Sequence, residues 1–313
     1  MALQGRMHQA ASPRKTVSSH STTALLALFV GNVALAFGPW FVRLSDVGPV
    51  AAGFWRLALA APILLALAQL GGGRPIASAR GLWWVLTIAG IAFAADLGAW
   101  HAGIHLTTLA NSTLFGNSAT LVFPIYGFFA ARTWPNRYQA MALLLAAIGA
   151  GLLMGRSASL SHEHLVGDLL CLLAGVLYAA YFVLMARARE AMAPLPALAL
   201  SSLASIPALL IVAVALGERV VPGIWWPLFA LALLSQVLGQ GCMIYALGHL
   251  SPLVIGIALL IQPIVSGTIG WIAYGERLGA ADLTGAVLVA IALVLVRRSP
   301  KLAPDAEAAR AED

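Results

Sequence analysis

Residues 48–70 read GPVAAGFWRLALAAPILLALAQL, with one charge, Arg56, before the turn cluster Gly71-Gly72-Gly73-Arg74-Pro75. About 20 apolar residues rising 1.5 Å each cross the roughly 30 Å hydrocarbon core of a bilayer, so this stretch reads as a membrane-spanning helix. It recurs further along the chain. Pro49 and Pro62 fall on Pro194 and Pro207 at a common separation of 145 residues.

Moving outward, Gly31 falls on Gly175 and Arg43 on Arg187 at 144, and Trp83-Trp84 on Trp225-Trp226 at 142. Ordered landmarks with so little drift indicate an internal repeat. The first copy holds apolar runs at 23–42, 48–70, 82–103, 108–130 and 138–155. The second holds them at 166–186, 196–216, 226–247, 252–274 and 281–297. Five runs per copy is odd, so the second copy enters the membrane from the opposite side. Inverted-topology repeats of this kind place a substrate site near the midplane between halves. The expected organisation is a tail at 1–21, five-helix repeats at 22–155 and 156–298, and a tail at 299–313.

Composition agrees. Apolar residues make up 61% of the 313 positions and charged residues 10%, with mean hydropathy +0.90. Soluble domains carry about 25% charged residues. This excludes a soluble enzyme, a disulfide scaffold, a disordered chain and a nucleic-acid binder. The net charge of +6 reports topology, because the basic residues sit between apolar runs. Thirteen of the 18 Lys and Arg fall in the two tails and the even-numbered connections. Four (Arg43, Arg156, Arg219, Arg277) fall in the odd-numbered ones. The positive-inside rule then puts both termini in the cytoplasm. Ala34-Leu35-Ala36 resembles a signal-peptide cleavage site, but the run continues through Trp40 and Phe41 and has its counterpart deep in the chain. It is read as a retained span. Cys171 and Cys242 lie within apolar runs without metal-ligand spacing. No Walker A loop or nucleophile elbow occurs, and no loop is long enough for an aqueous domain. No enzyme activity, metal or cofactor is expected.

Polar residues inside spans are costly and are functional candidates by default. Thr113, Asn117, Thr120 and Pro124 fall at i, i+4, i+7 and i+11, one face of a continuous helix, with Asn111 on a neighbouring strip. That face suits either a polar cavity or interhelical hydrogen bonding. Asp96 and Trp100 share a face of the third run, with His101 and His105 near as structural partners for the carboxylate. Asp96 suits binding of a substrate ammonium or proton carriage. The eighth run carries Gln236 and Gln240, then Tyr245, and the ninth carries Gln262 and Ser266. Trp100, Tyr178, Tyr181 and Tyr245 offer π-faces away from the span ends. Trp83, Trp84, Trp225, Trp226, Trp271 and Tyr274 lie near span boundaries and suit an interfacial belt. Arg56 suits charge coupling or a substrate carboxylate, with a structural role favoured. Gly38-Pro39, Pro62, Pro124, Pro207 and Pro263 are candidate kinks. Gly151 and Gly155 form one small-residue pair, compatible with a monomer or a weak homodimer.

Phe54-Trp55-Arg56-Leu57-Ala58, Ala246-Leu247-Gly248-His249-Leu250-Ser251-Pro252, Gln262-Pro263-Ile264-Val265 and Tyr274-Gly275-Glu276-Arg277-Leu278 together resemble the EamA-type members of the drug/metabolite transporter superfamily. The resemblance covers about residues 22–298. The first half departs from it, with Arg132-Thr133-Trp134 in place of the Gly-Glu-Arg-Leu end and Thr120 in place of Pro263. The resemblance implies a ten-helix secondary carrier of two inverted repeats in a bacterial cytoplasmic membrane, without cofactor. The general likeness is to exporters of aromatic and other amino acids. Export of another metabolite or a drug-like cation, and a passive channel, stay open at this stage.

Overall fold

The computed structural model describes residues 17–155, 162–275 and 279–298. Arg156, Glu276 and Arg277 lie outside these residues, as do 1–16 and 299–313. The described residues are helical throughout, with no strand among them.

The first repeat opens with α1 (Val17–Ala36), which breaks at Phe37 and resumes as α2 (Gly38–Leu44) with Pro39 in its first turn. Proline there loses nothing, since first-turn N–H groups have no intrahelical acceptor. Then follow α3 (Pro49–Leu70), the short α4 (Pro75–Ser78), α5 (Trp83–Leu106), α6 (Leu109–Gly116), α7 (Ala119–Ala130) and α8 (Arg137–Gly155). The second repeat runs α9 (His162–Arg189), α10 (Pro194–Ala215), α11 (Trp226–Ala230), a π-helical stretch (Leu231–Gln240), α12 (Gly241–Leu247), α13 (Pro252–Ala258), α14 (Ile261–Tyr274) and α15 (Ala280–Arg298). Seven helical segments among the described residues are long and apolar enough to cross a membrane. Large apolar side chains such as Phe129, Ile211 and Ile272 stand exposed on the outside. In water such a surface would aggregate; against lipid it is at rest.

The equivalent helices α3 and α10 run antiparallel. Pro196, near the start of α10, packs against Gly73 just past the end of α3. Glu218, just past the end of α10, accepts from the backbone N–H of Val50 (3.2 Å) and Ala51 (2.8 Å) at the start of α3. That carboxylate satisfies helix-start donors and complements the helix dipole.

The same end of the bundle carries a clasp between loops 45–48 and 217–224. Arg219 contacts Asp46 at 3.3 Å, and its carbonyl accepts from Gly48 N–H at 3.0 Å. Trp55 Nε1 donates to the Val220 carbonyl at 2.7 Å. Asp46 accepts from the N–H of Gly223 (2.8 Å) and Ile224 (3.2 Å). These bonds, Gly223 first, with Ile224 and Arg219 adding, hold the Asp46 carboxyl below its ordinary value of 3.8. A depressed folded-state value means the contribution is complete above 3.8 and fades as pH falls through the lower folded value. Amide hydrogen exchange checks this. Asp46→Asn is expected to reduce the protection of the Gly223 and Ile224 amides relative to their intrinsic exchange rates at pH 7, and the wild type should lose that protection only in strong acid.

Two arginines close helix ends in matching ways. Arg43, at the end of α2, donates to the carbonyls of Ile104 (3.2 Å) and Thr107 (2.7 Å) where α5 stops. Arg189, at the end of α9, donates to Ile244 (3.0 Å) in α12 and to Met192. Each supplies donors to carbonyls that a helix end leaves unpaired. Arg189 thus plays in the second repeat a part that Arg43 plays in the first, two residues beyond Arg187, the position 144 along from Arg43. Arg187 lies instead over the Trp84 ring, 5.0 Å from its centroid.

Besides the first span, which breaks at Phe37, three others depart from the continuous helices expected. The fourth is two helices joined at Asn117–Ser118, so Thr113, Asn117, Thr120 and Pro124 do not share one uninterrupted face. Its low helix propensity at Gly116-Asn117-Ser118 is one cause. The other is space, because a Cβ on Gly116 would sit 2.8 Å from Trp100 Nε1. The ninth span breaks at Leu259–Leu260, the equivalent place. Here Pro263 is the cause: it has no N–H for the Leu259 carbonyl, which accepts from Gln262 N–H (3.0 Å) instead. The eighth span is π-helical over ten residues, Leu231–Gln240. The wider π turn follows from no residue pattern we can name.

Candidate functional site

A cavity opens where the two repeats meet. Leu35, Arg56, Phe93, Asp96, Leu97, Trp100, Thr113, Gly116 and Asn117 line it from the first, and Tyr178, Gln240 and Gln262 from the second. It lies beside the break between α6 and α7 and the start of α14.

Its polar groups are held by a network that crosses between repeats. Asn117 Nδ2 faces Gln262 Oε1 at 3.4 Å, and Gln262 Nε2 donates to Asn32 Oδ1 at 2.9 Å. Asn32 Nδ2 donates in turn to the Leu28 carbonyl at 2.7 Å. Gln262 thus joins two elements of the first repeat by using both ends of its amide. Tyr178 donates its hydroxyl to Gln240 Oε1 at 2.9 Å, while Gln240 Nε2 has no partner among the described residues. Trp100 is fixed by its indole N–H on the Ser112 carbonyl at 2.9 Å. Thr113 bonds back to the Leu109 carbonyl one turn earlier. Phe93 stacks on Tyr181 with ring centroids 4.5 Å apart, giving the cavity an aromatic wall.

Two charged residues complete it. Arg56 is 2% exposed and Asp96 6% exposed. Arg56 Nε donates to Gln236 Oε1 at 2.9 Å, and Gln236 Nε2 donates to Ser202 Oγ at 3.1 Å. The guanidinium lies 5.8 Å from the centroid of the Phe93 ring. Its terminal nitrogens donate to no described residue, the Asp96 carboxylate accepts from none, and the two close no ion pair among the described residues. His101 does not partner Asp96; its Nδ1 lies 2.8 Å from the Pro49 carbonyl and its Nε2 is buried without a partner among the described residues. Arg56 braces Gln236 and also faces the cavity, so its position suits both the structural and the charge-bearing readings of it.

Of the candidates from sequence, Arg56, Asp96, Trp100, Thr113, Asn117, Tyr178, Gln240 and Gln262 come together around this space. Gln236 stands behind Arg56, Tyr181 stands behind Phe93, and Tyr245 lies apart, its ring 4.4 Å from His249. The side chain of Asn111 lies outside the described residues. Sequence reasoning missed Asn32 and Phe93 as site residues. Asn32 was visible as an amide amid an apolar run, whereas Phe93 carries no signal that separates it from other core aromatics.

No curated protein shows a sequence match to the chain. A solved structure described as "Crystal structure of protein" superposes with a TM-score of 0.69 at 16% identity, over 90% of this chain and 98% of that one. At that identity the likeness speaks for the fold alone. The profile of the EamA-like transporter family matches residues 22–155 and again 165–298, two copies displaced by 143 residues. The two broken helices match at nearly the same displacement, 142 residues from Asn117–Ser118 to Leu259–Leu260. The chain belongs to the EamA-like transporter family, within the drug/metabolite transporter superfamily.

Proposed function

We propose that this protein is a secondary carrier that exports small organic metabolites, aromatic and neutral amino acids first among them, from a bacterial cytoplasm. Its ten spans form two inverted repeats, with both termini cytoplasmic as the distribution of Lys and Arg favours. The observation that carries this reading is a cavity walled by both repeats, beside helices broken at equivalent places in each. Discontinuous helices at a repeat interface are how many secondary carriers build a midplane site. Rocking of one repeat against the other then exposes the cavity to each side in turn. The clasp of loops 45–48 and 217–224 lies on the outer side in this topology, where it restrains opening. The lining mixes aromatic rings with amides and both signs of charge, which suits an amino acid better than a purely apolar compound.

Counterflow in proteoliposomes tests this. The purified full chain is expected to show saturable, trans-stimulated flux of aromatic amino acids. Unsaturable flux without trans-stimulation would instead indicate a channel. Flux of organic cations with none of any amino acid would make it a carrier of another substrate class.

A further inference from the structure

The cavity is lined by a basic and an acidic side chain, Arg56 and Asp96, that lie within each other's field but close no ion pair. We infer that Arg56 and Asp96 together read the charge of the ligand, so that a substrate must carry a carboxylate and an ammonium at once. The inference rests on the carrier reading above and deepens it.

Arg56 is held from behind. Its Nε is engaged by Gln236 Oε1 at 2.9 Å, and Gln236 is itself anchored on Ser202. This fixes the guanidinium plane and leaves its terminal nitrogens for a planar acceptor, the geometry that suits a carboxylate. Asp96, on α5, presents a carboxylate that no described residue bonds. An ammonium has the three donors to meet it. Trp100 and Tyr178 stand in the same lining and add aromatic rings to it.

The discrimination follows from desolvation. Entry of any ligand strips water from both charges, and a buried charge left without a partner is costly. An aromatic amine would satisfy Asp96 and strand Arg56. An aromatic acid would do the reverse. A zwitterion satisfies both, and its own charges are neutralised in place. Rejection of wrong ligands by unpaired charge is a stronger filter than shape alone. The same logic predicts that removing one protein charge changes the preferred ligand as well as the rate.

The test uses the reconstituted full-length chain and three probes of one skeleton: L-phenylalanine, phenethylamine and 3-phenylpropionate. In the wild type, phenylalanine flux should be competed by unlabelled phenylalanine and at least about tenfold less well by either mono-charged analogue, a factor that corresponds to about 1.4 kcal/mol. Asp96→Asn, which keeps the side-chain shape, should reverse the ranking in favour of 3-phenylpropionate. Arg56→Gln should reverse it in favour of phenethylamine. Ranking within one preparation is independent of how much protein folds, and the wild-type competition stands even if Arg56→Gln does not insert. Phenylalanine transport with equal competition by all three probes, or an Asp96→Asn variant that keeps the wild-type ranking, would overturn the inference while leaving the carrier intact. Absence of any amino acid flux in the wild type would overturn the carrier reading itself.

Discussion

Gln262→Met is expected to lower both the thermal stability of the protein in detergent and its transport rate. The substitution roughly conserves volume, so it isolates the polar loss. In the wild type the Gln262 amide accepts from Asn117 at 3.4 Å and donates to Asn32 at 2.9 Å. Methionine leaves Asn32 Oδ1 as a buried acceptor without its donor, at about 1–3 kcal/mol. The longer contact to Asn117 is stretched and contributes less. Hydrogen bonds between membrane helices average only about 0.6 kcal/mol, which places the total near the low end of that range. The effect on transport should be the larger one, because Gln262 also lines the cavity. Gln262→Glu is a sharper probe. An ionised carboxylate still accepts from Asn117 but has no proton to give Asn32. It should be no more stable than the methionine variant, despite its closer shape to glutamine. A melt unchanged in both variants would show that the bridge between repeats carries no load.

Gly256→Val is expected to be still more damaging. An added Cβ at Gly256 would lie 2.5 Å from Pro124 Cγ and 2.8 Å from the Thr120 carbonyl oxygen. A proline ring and a backbone carbonyl cannot rotate aside as a flexible side chain would. The contact is where α13 crosses α7, so relief means moving one broken helix off the other. Overpacking of this kind costs about 1–3 kcal/mol, and more where backbone must shift. Gly98→Ala is the matched control: it lies in α5 with nothing within 4 Å of its added Cβ. Helix propensity there favours alanine by about 1 kcal/mol. The expected pattern is loss of folded yield for Gly256→Val and an unchanged or raised melting temperature for Gly98→Ala. Equal melting of the two variants would mean that the crossing is looser than its geometry indicates.

How far the sequence alone reaches depends on which physical signal encodes each feature. The apolar runs and their repetition were legible because bilayer thickness demands them, as in the pair 48–70 and 196–216. Pro263 announced an interruption, since proline removes a backbone donor, but Pro62, Pro124 and Pro207 sit inside α3, α7 and α10 without breaking them. The break at Asn117–Ser118 was not legible as a break. Gly, Asn and Ser are tolerated inside membrane helices, and it is the pressure of Trp100 on Gly116, a tertiary fact, that tips the balance. The π-helical stretch had no local signal, so the spacing of Gln236 and Gln240 could not say which of them meets the cavity. Asp96, Trp100 and Gln262 were found because polar or amphipathic groups stand out in an apolar chain. Asn32 stands out equally as an amide amid an apolar run.

The paired interruptions have an electrical consequence. A helix carries about half a positive charge at its start and half a negative charge at its end. Each break therefore brings one negative end, that of α6 or α13, against one positive start, that of α7 or α14. The end charges cancel pairwise within each repeat. Beside the cavity the two breaks therefore add little net charge of their own, and the full charges that face a ligand there are those of Asp96 and Arg56.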